Sequence, residues 1–498
     1  MKYFLILIIS VFYQYTHAQE SVFPSHTDIG NPSLKGSVNY TDSTGIYTLK
    51  SSGYNIWFNR DEFHYAYNWI KGDFILTANF AFEDESGDPH KKMGWMVRES
   101  ADDQSAHLSA TLHGNGLNEI QWRELRGAYM RDPEDEIRFP KKKIQVVQLE
   151  RRGKTFYVSF APAGEPLQLV GEKTMPHMKD SVMAGLFACS HDPQSMVTAK
   201  IWNVRIDKPR ALRAEQNNIN GSRLELMDVT TGIRKVVYQS VTRFEAPNFM
   251  PDGKSLLFNE NGKLFTIGTG GGAPQYFPTG DLVRNNNDHG ISFDGKLLAI
   301  SNHRDGLPGY GSTVYIMPLE GGAPRLITEN TPSYWHGWSP DNKKVLVVGQ
   351  RGGTVFNIYA VSTKDGSEIN VTKNESGHVD GPEFTKDGKW IYYNGNQSGT
   401  MQIWRMKPDG TGKEQITFDE YNNWFPHISP DGKWMTIISF PPDINPDDHP
   451  ANKRVMLRLM PVNGGSPRVL AFIYGGQGTI NVPSWSPDSK QISFVSYY

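Results

Sequence analysis

Histidine and carboxylate side chains stand a few residues ahead of a recurring turn in the second half of the sequence. His289 and His336 lie five residues before a turn aspartate, whereas His427 and Glu383 lie four residues before one. Histidines beside a carboxylate can hold a divalent metal, and a single histidine can act as a general base. The three histidines are therefore the candidate catalytic residues and the candidate ligands of a divalent metal.

The two offsets differ by one residue, and adjacent residues of a strand face opposite sides of a sheet. Strand twist and closure of a ring can still bring such side chains together. In the alternative interpretation, each histidine bonds a neighbouring backbone carbonyl or a channel water and has no chemical role.

The turn itself is a repeated structural signal. In "FPHISPDGKWMTIISF" an Asp-Gly pair separates two apolar runs, which predicts a hairpin. Six copies occur, 42, 47, 46, 44 and 57 residues apart, with turn aspartates at Asp252, Asp294, Asp341, Asp387, Asp431 and Asp488. A period of this length predicts propeller blades of four short strands. The last copy lacks a second hairpin, and residues 223–239 supply one, so strands from both ends are expected to close the sixth blade.

These repeats resemble the TolB-like six-bladed β-propeller, whose PD40 (WD40-like) blades carry the same Ser-Pro-Asp-Gly-Lys turn. The resemblance covers residues 222–498. It implies the fold, but it leaves the function open, because such propellers serve as binding platforms, as parts of peptidases and as enzyme scaffolds.

Residues 19–207 alternate apolar and polar positions and contain no convincing helical stretch, so the whole chain is predicted to be all-β. The segments "GDFILTA", "GWMVRES" and "GLFACSHDPQSMVTAKIWNVRI" resemble a concanavalin-like, laminin-G-like jelly roll, a β-sandwich found in secreted carbohydrate-active proteins. Aromatic residues in "YNIWFNRDEFHYAYNW" can stack on sugars or pack a core. Residues 208–221 are the expected linker.

The first 18 residues have the pattern of a cleaved signal peptide. Lys2 precedes an apolar run, and Ala18 ends a small-residue cleavage pattern. Cys189 is the single cysteine, which excludes an internal disulfide. We expect a bacterial periplasmic or secreted protein with no transmembrane segment after cleavage. The net charge of −2 gives no field that favours nucleic acid.

In a closed propeller the inner strands converge on a central funnel. The face that carries the loops between second and third strands and the crossings between blades is called the upper face, and the Ser-Pro-Asp-Gly turns define the lower face. Polar residues at the starts of inner strands and in upper-face loops predict a hydrogen-bonding bowl, with arginines suited to a carboxylate. The candidate ligand-binding residues are Asn248, Asp288, His289, His303, Arg304, His336, Arg351, Glu383 and His427.

Three functions agree with these patterns. The leading hypothesis is an exported glycan-binding protein with a lectin-like domain and a propeller that binds a ligand at its upper funnel. The second is a propeller lyase or hydrolase of acidic oligosaccharides, similar in general style to oligogalacturonate lyases, which hold a metal among funnel histidines. The third is a scaffold that binds envelope proteins, as the TolB resemblance alone implies.

Overall fold

The computed structural model describes residues 21–140, 142–210, 219–373 and 377–498, so the predicted signal peptide lies outside the described residues. Within these ranges the regular structure is β-strand apart from one 3-10 turn at Gly309–Gly311, and the all-β prediction is confirmed. No helix in the described ranges has the length and apolar character that crossing a membrane requires.

The N-terminal unit contains two antiparallel seven-stranded sheets and a two-stranded ribbon. Its strands are β1 (Ser25–Ile29), β2 (Ser37–Thr41), β3 (Ile46–Gly53), β4 (Ile56–Trp57), β5 (Arg60–Asp61), β6 (Phe63–Lys71), β7 (Phe74–Phe82), β8 (Lys92–Arg98), β9 (His107–His113), β10 (Asn118–Arg123), β11 (Glu136–Phe139), β12 (Ile144–Arg152), β13 (Thr155–Pro162), β14 (Gln168–Thr174), β15 (Ser181–Cys189) and β16 (Asp192–Asp207). The orders are β1-β6-β15-β8-β9-β10-β11 and β14-β13-β12-β7-β16-β3-β2, with β4 paired to β5.

The two large sheets share one hydrophobic core. Trp95 and Leu108 from the first sheet and Phe80 and Leu149 from the second belong to the same buried cluster. The Trp95 indole N–H donates to the carbonyl of Val147 at 3.2 Å, which satisfies its polar atom inside this core. Period-2 alternation in the sequence produces this arrangement, because one face of each strand is apolar. Kinship with concanavalin-like domains stays a prediction.

The propeller follows. Its strands are β17 (Ser222–Asp228), β18 (Arg234–Ser240), β19 (Phe244–Phe249), β20 (Ser255–Glu260), β21 (Lys263–Gly268), β22 (Gln275–Phe277), β23 (Asn285–Ile291), β24 (Leu297–His303), β25 (Ser312–Pro318), β26 (Arg325–Leu326), β27 (Ser333–Trp338), β28 (Lys344–Gly349), β29 (Asn357–Ser362), β30 (Glu368–Asn370), β31 (Val379–Phe384), β32 (Ile391–Gly395), β33 (Gln402–Met406), β34 (Glu414–Gln415), β35 (Asn422–Ile428), β36 (Trp434–Phe440), β37 (Lys453–Pro461), β38 (Arg468–Gly475) and β39 (Gln491–Tyr497). Strands β19 to β38 form five blades, each of which consists of four consecutive strands.

The sixth blade joins the two ends of the propeller. Strand β17 pairs with β39 from Ser222↔Tyr497 to Asp228↔Gln491, and β18 pairs with β17 on the other side. An isolated bridge between Trp485 and Ile492 marks the innermost strand position. The predicted six-bladed propeller, closed by strands from both ends, is confirmed, and closure leaves no open edge between first and last blades.

The repeated turns are held by side-chain hydrogen bonds. In the fifth blade, Ser429 Oγ donates to Asp431 Oδ1 at 2.6 Å, and the backbone N–H of Lys433 donates to the same oxygen at 3.1 Å. The other turn aspartates accept a backbone N–H from the residue two positions later in the same way. The sequence repeat is therefore a repeat of turn chemistry, which fixes where each inner strand ends.

The two units touch through polar contacts. Arg205 of β16 pairs with Glu225 of β17 at 2.6 Å, and Arg454 of β37 pairs with Glu150 of β12 at 2.8 Å. The amide of Asn203 donates to the carbonyl of Gly232 at 2.8 Å. The N-terminal unit thus contacts outer strands of the fifth and sixth blades.

Candidate functional site

Every complete inner strand carries a register irregularity at the level of the funnel. Pairing shifts between Asn285 and His289 in the second blade, and between Trp335 and Gly337 in the third, with equivalent shifts in the first, fourth and fifth blades. A β-bulge of this kind re-aims side chains, and bulges are frequent beside binding sites. Alternation counted from the turn therefore does not give the direction of the side chains above the bulge.

The bulges assemble a group of ionisable side chains around one carboxylate. Asp380 Oδ1 lies 2.9 Å from His336 Nε2, while Asp380 Oδ2 lies 3.6 Å from His449 Nε2 and 4.0 Å from His378 Nε2. Asp288 is buried and interacts electrostatically with His336, Asp380 and His449. We call Asp288, His336, His378, Asp380 and His449 the Asp380 cluster.

Burial and neighbouring charges shift the pKa values of the residues in the Asp380 cluster in different directions. Burial opposes the charged ring of His336, but the Asp380 carboxylate outweighs it and raises the pKa of His336. Burial also opposes ionised Asp380, yet His336 and His449 hold the pKa of Asp380 well below its usual value. Burial raises the pKa of Asp288 to about 7, and it lowers the pKa of His378. One ion pair, His336–Asp380, thus sits beside a carboxyl that titrates near neutrality.

The raised pKa of Asp288 gives a testable pH dependence. A carboxyl whose folded pKa lies above its unfolded pKa of ~3.9 destabilises the fold as pH rises between the two values. Asp288→Asn removes this titration. Titration of Asp288 should lower the unfolding free energy of the native chain between pH 5 and pH 7. We expect this fall to be smaller by roughly 2 kcal/mol in Asp288→Asn, since one pKa unit corresponds to ~1.4 kcal/mol. Thermal unfolding at both pH values measures it; equal pH dependence in both proteins would contradict it.

Aromatic rings enclose the cluster. Trp424 lies 4.3 Å from the ring of His449, Phe425 stacks on His336 with centroids 6.1 Å apart, and Phe356 stacks on His378 at 5.2 Å. Phe425 has a φ of 53°, in the left-handed region, at the bulge of its strand. These rings exclude water from one side of the ion pair and strengthen its electrostatic interaction.

A pocket of ≈ 600 Å³ opens beside the cluster on the upper face. Loops of the third, fourth and fifth blades line it, with Thr354, Val355, Phe356, Gly377, His378, Asn396, Gln397 and Asp447. Asp447 Oδ1 accepts a hydrogen bond from Asn396 Nδ2 at 2.5 Å. We call this cavity the acidic pocket, because its described lining residues include the carboxylate of Asp447 and no lysine or arginine.

A second upper-face pocket of ≈ 350 Å³ lies across the first, second and sixth blades. His303 lines it together with asparagines and the Arg243–Glu245 pair. The ring of His303 is held by the carbonyl of Tyr310 at 3.2 Å. The described part of the upper face therefore includes two polar cavities that share no lining residue.

The structure gives the three predicted histidines different surroundings. His427 bonds Glu383 at 2.8 Å through Nδ1 and the carbonyl of Ile480 at 2.7 Å through Nε2, so both ring nitrogens are occupied. His289 is fully buried, its only polar influence is the backbone of Leu257, and burial lowers its pKa to about 3. Of the three, His336 alone belongs to the Asp380 cluster.

The structure also places the remaining predicted residues at different positions in the propeller. Asn248 and Glu383 line a cavity at the lower mouth of the channel instead of the upper funnel, because they lie below the bulges. Arg351 is engaged by Glu368 at 2.9 and 3.0 Å and by the carbonyl of Pro332, so its guanidinium already has a carboxylate. Arg304 is exposed on its loop.

In the described parts of the chain, no group of three or more histidine, cysteine, aspartate or glutamate side chains is arranged to hold a metal ion. Binding of a divalent metal stays a prediction, and metal analysis of the purified protein would check it.

Three members of the site were not predicted. Asp380 lies seven residues before its turn aspartate, which is the position that the bulge of the fourth blade re-aims. His378 and His449 come from a blade crossing and from the long loop of the fifth blade. The aromatic pair "WF" at 424–425 beside a histidine-containing loop is the one sequence signal that could have indicated this neighbourhood.

Comparison with known proteins agrees with the fold of the propeller. Residues 333–445 match the family described as TolB beta propeller domain. The Agrobacterium fabrum protein Atu1656 is 44% identical over 279 residues, which are 56% of this chain and 92% of that protein. The solved structure of a putative TolB from Agrobacterium tumefaciens is 43% identical, with a TM-score of 0.53 over 56% of this chain and 98% of that one.

A more distant relative matches a smaller part of this chain. YuxL of Bacillus subtilis, named as an uncharacterized peptidase, is 26% identical over 208 residues, which are 38% of this chain and 28% of YuxL. The predicted TolB resemblance is confirmed by the Agrobacterium relatives, which match across most of their own length. The chain belongs to the TolB-like β-propeller family.

Proposed function

We propose that the chain is a protein-interaction scaffold of the cell envelope, whose upper face binds a cationic segment of a partner protein. The observation that carries this proposal is the acidic pocket. Asp447 contributes a carboxylate, the side-chain oxygens of Asn396 and Gln397 lack hydrogen-bond partners, and none of the eight described lining residues is lysine or arginine.

The chemistry of the acidic pocket selects the kind of side chain that enters. A lysine or arginine supplies several N–H donors, which match the unpartnered oxygens and the Asp447 carboxylate. The lowered pKa of His378, caused by burial, keeps that ring neutral near pH 7 and free of repulsion toward a cation. The face of Phe356 adds a surface for cation–π contact.

A photo-crosslinking residue placed at Gln397 tests the proposal in intact cells. We expect protein adducts from this position and none from Lys386, which lies at the lower face. Mass spectrometry of the adducts identifies the partner, whose binding can then be measured with purified proteins. Adducts of equal yield at both positions would contradict an upper-face partner.

Asp447→Asn gives the quantitative prediction for the purified pair. We expect roughly fivefold weaker binding, because an exposed ion pair contributes ~1 kcal/mol, and a smaller salt dependence. Asp443→Asn is the matched control, since Asp443 is an exposed carboxylate of the same loop and does not line the pocket. Equal affinities of the two variants for the partner would contradict the proposed role of Asp447 in binding.

Glycan binding by the N-terminal unit is a second candidate function. Phe58 and Tyr129 are 36% and 59% exposed, and their ring centroids are 5.4 Å apart, which provides a surface for stacking on a sugar. We propose that this unit is the concanavalin-like jelly roll that the sequence predicts. Titration of the full chain with an oligosaccharide panel tests binding, and turnover of acidic oligosaccharides tests the alternative of a lyase or hydrolase.

A further inference from the structure

The lower mouth of the propeller channel contains a cavity that the proposed function does not use. Its volume is ≈ 360 Å³, within the ~300–1,000 Å³ range of small-molecule sites. The Ser-Pro-Asp-Gly turns form its rim, and all six blades contribute to its wall. It therefore opens on the face opposite to the acidic pocket.

Six of the twenty residues that line this cavity are aromatic. Trp338 and Trp485 line the cavity, and their indole N–H groups donate into the protein, to the carbonyls of Gly290 and His427, each at 2.9 Å. Trp335 also lines it and is 1% exposed. The indole donors of Trp338 and Trp485 are thus consumed inside the protein, and the rings offer apolar surface to a ligand.

The wall has two buried polar atoms without a partner, the donor Nε1 of Trp335 and the acceptor Oδ1 of Asn248. Asn248 is 3% exposed; its Nδ2 donates to the carbonyl of Pro483 at 2.7 Å, which fixes the orientation of the amide, and its Oδ1 has no partner. Leaving such an atom unpaired costs ~1–3 kcal/mol. A ligand that supplies an O–H or N–H to this oxygen recovers that cost.

The buried carboxylate on the wall, Glu383, is already compensated, and the charged lining residues Asp294 and Lys386 are exposed at the rim. Both carboxylate oxygens of Glu383 are occupied, one by His427 Nδ1 at 2.8 Å and the other by the backbone N–H of Ile428 at 3.0 Å. A charged ligand inside the cavity would lose its hydration without gaining a buried counter-ion. The wall therefore favours a neutral ligand.

We propose that the lower mouth of the channel is a binding site for a neutral, aromatic small molecule that bears one hydroxyl or N–H donor, directed at Asn248 Oδ1. This site goes beyond the proposed function, because it lies on the other face and takes a different class of ligand. The three tryptophans supply the apolar enclosure, and Asn248 supplies the orientation.

A matched pair of probes tests the site on the full chain. Titration with 4-methylphenol and with toluene, followed by saturation-transfer NMR and tryptophan fluorescence, compares ligands that differ by one hydroxyl. We expect 4-methylphenol to bind roughly tenfold more tightly, because toluene leaves Asn248 Oδ1 unpaired. Equal affinities, or no binding of 4-methylphenol at millimolar concentration, would overturn the proposal.

Two variants locate the binding. Asn248→Leu is expected to abolish the preference for 4-methylphenol, whereas Phe293→Ala, at a rim residue that is 43% exposed, is expected to weaken both probes about threefold and to preserve the preference. Unchanged binding in both variants would also overturn the site. Glu329→Gln, at an exposed residue that lines neither cavity, is the control and should leave both affinities unchanged. The probes do not involve the acidic pocket, so failure here is distinct from failure of that pocket.

Discussion

Replacing Glu225 by glutamine is expected to destabilise the chain by ~3–5 kcal/mol, because it removes the nearest counter-charge of two buried arginines. Glu225 is fully buried on β17. Its Oε2 lies 2.6 Å from Arg205 of the N-terminal unit and 4.0 Å from Arg234, and its Oε1 accepts a hydrogen bond from Ser496. One carboxylate therefore joins the N-terminal unit to the strand pair that closes the ring.

The pH dependence of this effect has a definite sign. Burial opposes ionised Glu225, but Arg205 and Arg234 outweigh it and lower the pKa of Glu225 to about 2. A carboxyl with a depressed pKa contributes stability that is fully present above its unfolded pKa of ~4.3 and is lost as pH falls toward the folded value. The difference between native chain and Glu225→Gln should therefore narrow between pH 5 and pH 2.

Thermal unfolding followed by tryptophan fluorescence measures this prediction at pH 7 and at pH 3. Glu329→Gln is the matched control, since Glu329 is exposed and its removal should change stability by less than ~0.5 kcal/mol. A loss below 1 kcal/mol in Glu225→Gln would show that the two arginines find other compensation.

The propeller could be predicted from the sequence because its signals are local. Asp431 and its equivalents hold their own turns through hydrogen bonds to residues two positions away, so the pattern survives in every blade. Pairing of Ser222 with Tyr497 was also predictable, because the hairpin missing after the last turn had a counterpart at the other end. Period-2 alternation likewise predicted the sheets of the N-terminal unit.

The candidate site could not be predicted in the same way, because bulges and loops place its members. His289 and His336 both lie five residues before a turn aspartate, so the sequence does not distinguish them. In the structure, His289 is buried within its blade, whereas His336 pairs with Asp380. Arg351 lies in an upper-face loop as expected, but its loop folds back onto Glu368. Which partner a long side chain takes depends on tertiary contacts that no local spacing encodes.

Asp380→Asn is expected to have the largest effect within the candidate site. The substitution keeps the shape of the side chain and removes the carboxylate that pairs with His336 at 2.9 Å. Without Asp380, burial is the main influence left on His336, and it disfavours the charged ring. We expect the pKa of His336, followed by its imidazole resonances in NMR, to fall from above its ordinary value to below it.

The stability loss should depend on pH in a direction opposite to that of Glu225. In the native chain, protonated His336 contributes stability that is present below the unfolded histidine pKa of ~6.5 and is lost as pH rises through the raised folded value. In Asp380→Asn, folding must release that proton, which costs more as pH falls. The loss, ~3–5 kcal/mol at pH 6 for a broken buried pair, should therefore shrink at pH 8.

A double variant separates the ion pair from the shape of the site. His336→Gln combined with Asp380→Asn leaves no uncompensated charge, so at pH 6 it should be more stable than Asp380→Asn alone. Asp443→Asn, an exposed carboxylate on the long loop of the fifth blade, should unfold like the native chain at both pH values. If Asp380→Asn lost the same free energy at pH 6 and pH 8, His336 would not carry the charge that Asp380 balances, and the cluster would be held by packing of Trp424 and Phe425 around neutral rings.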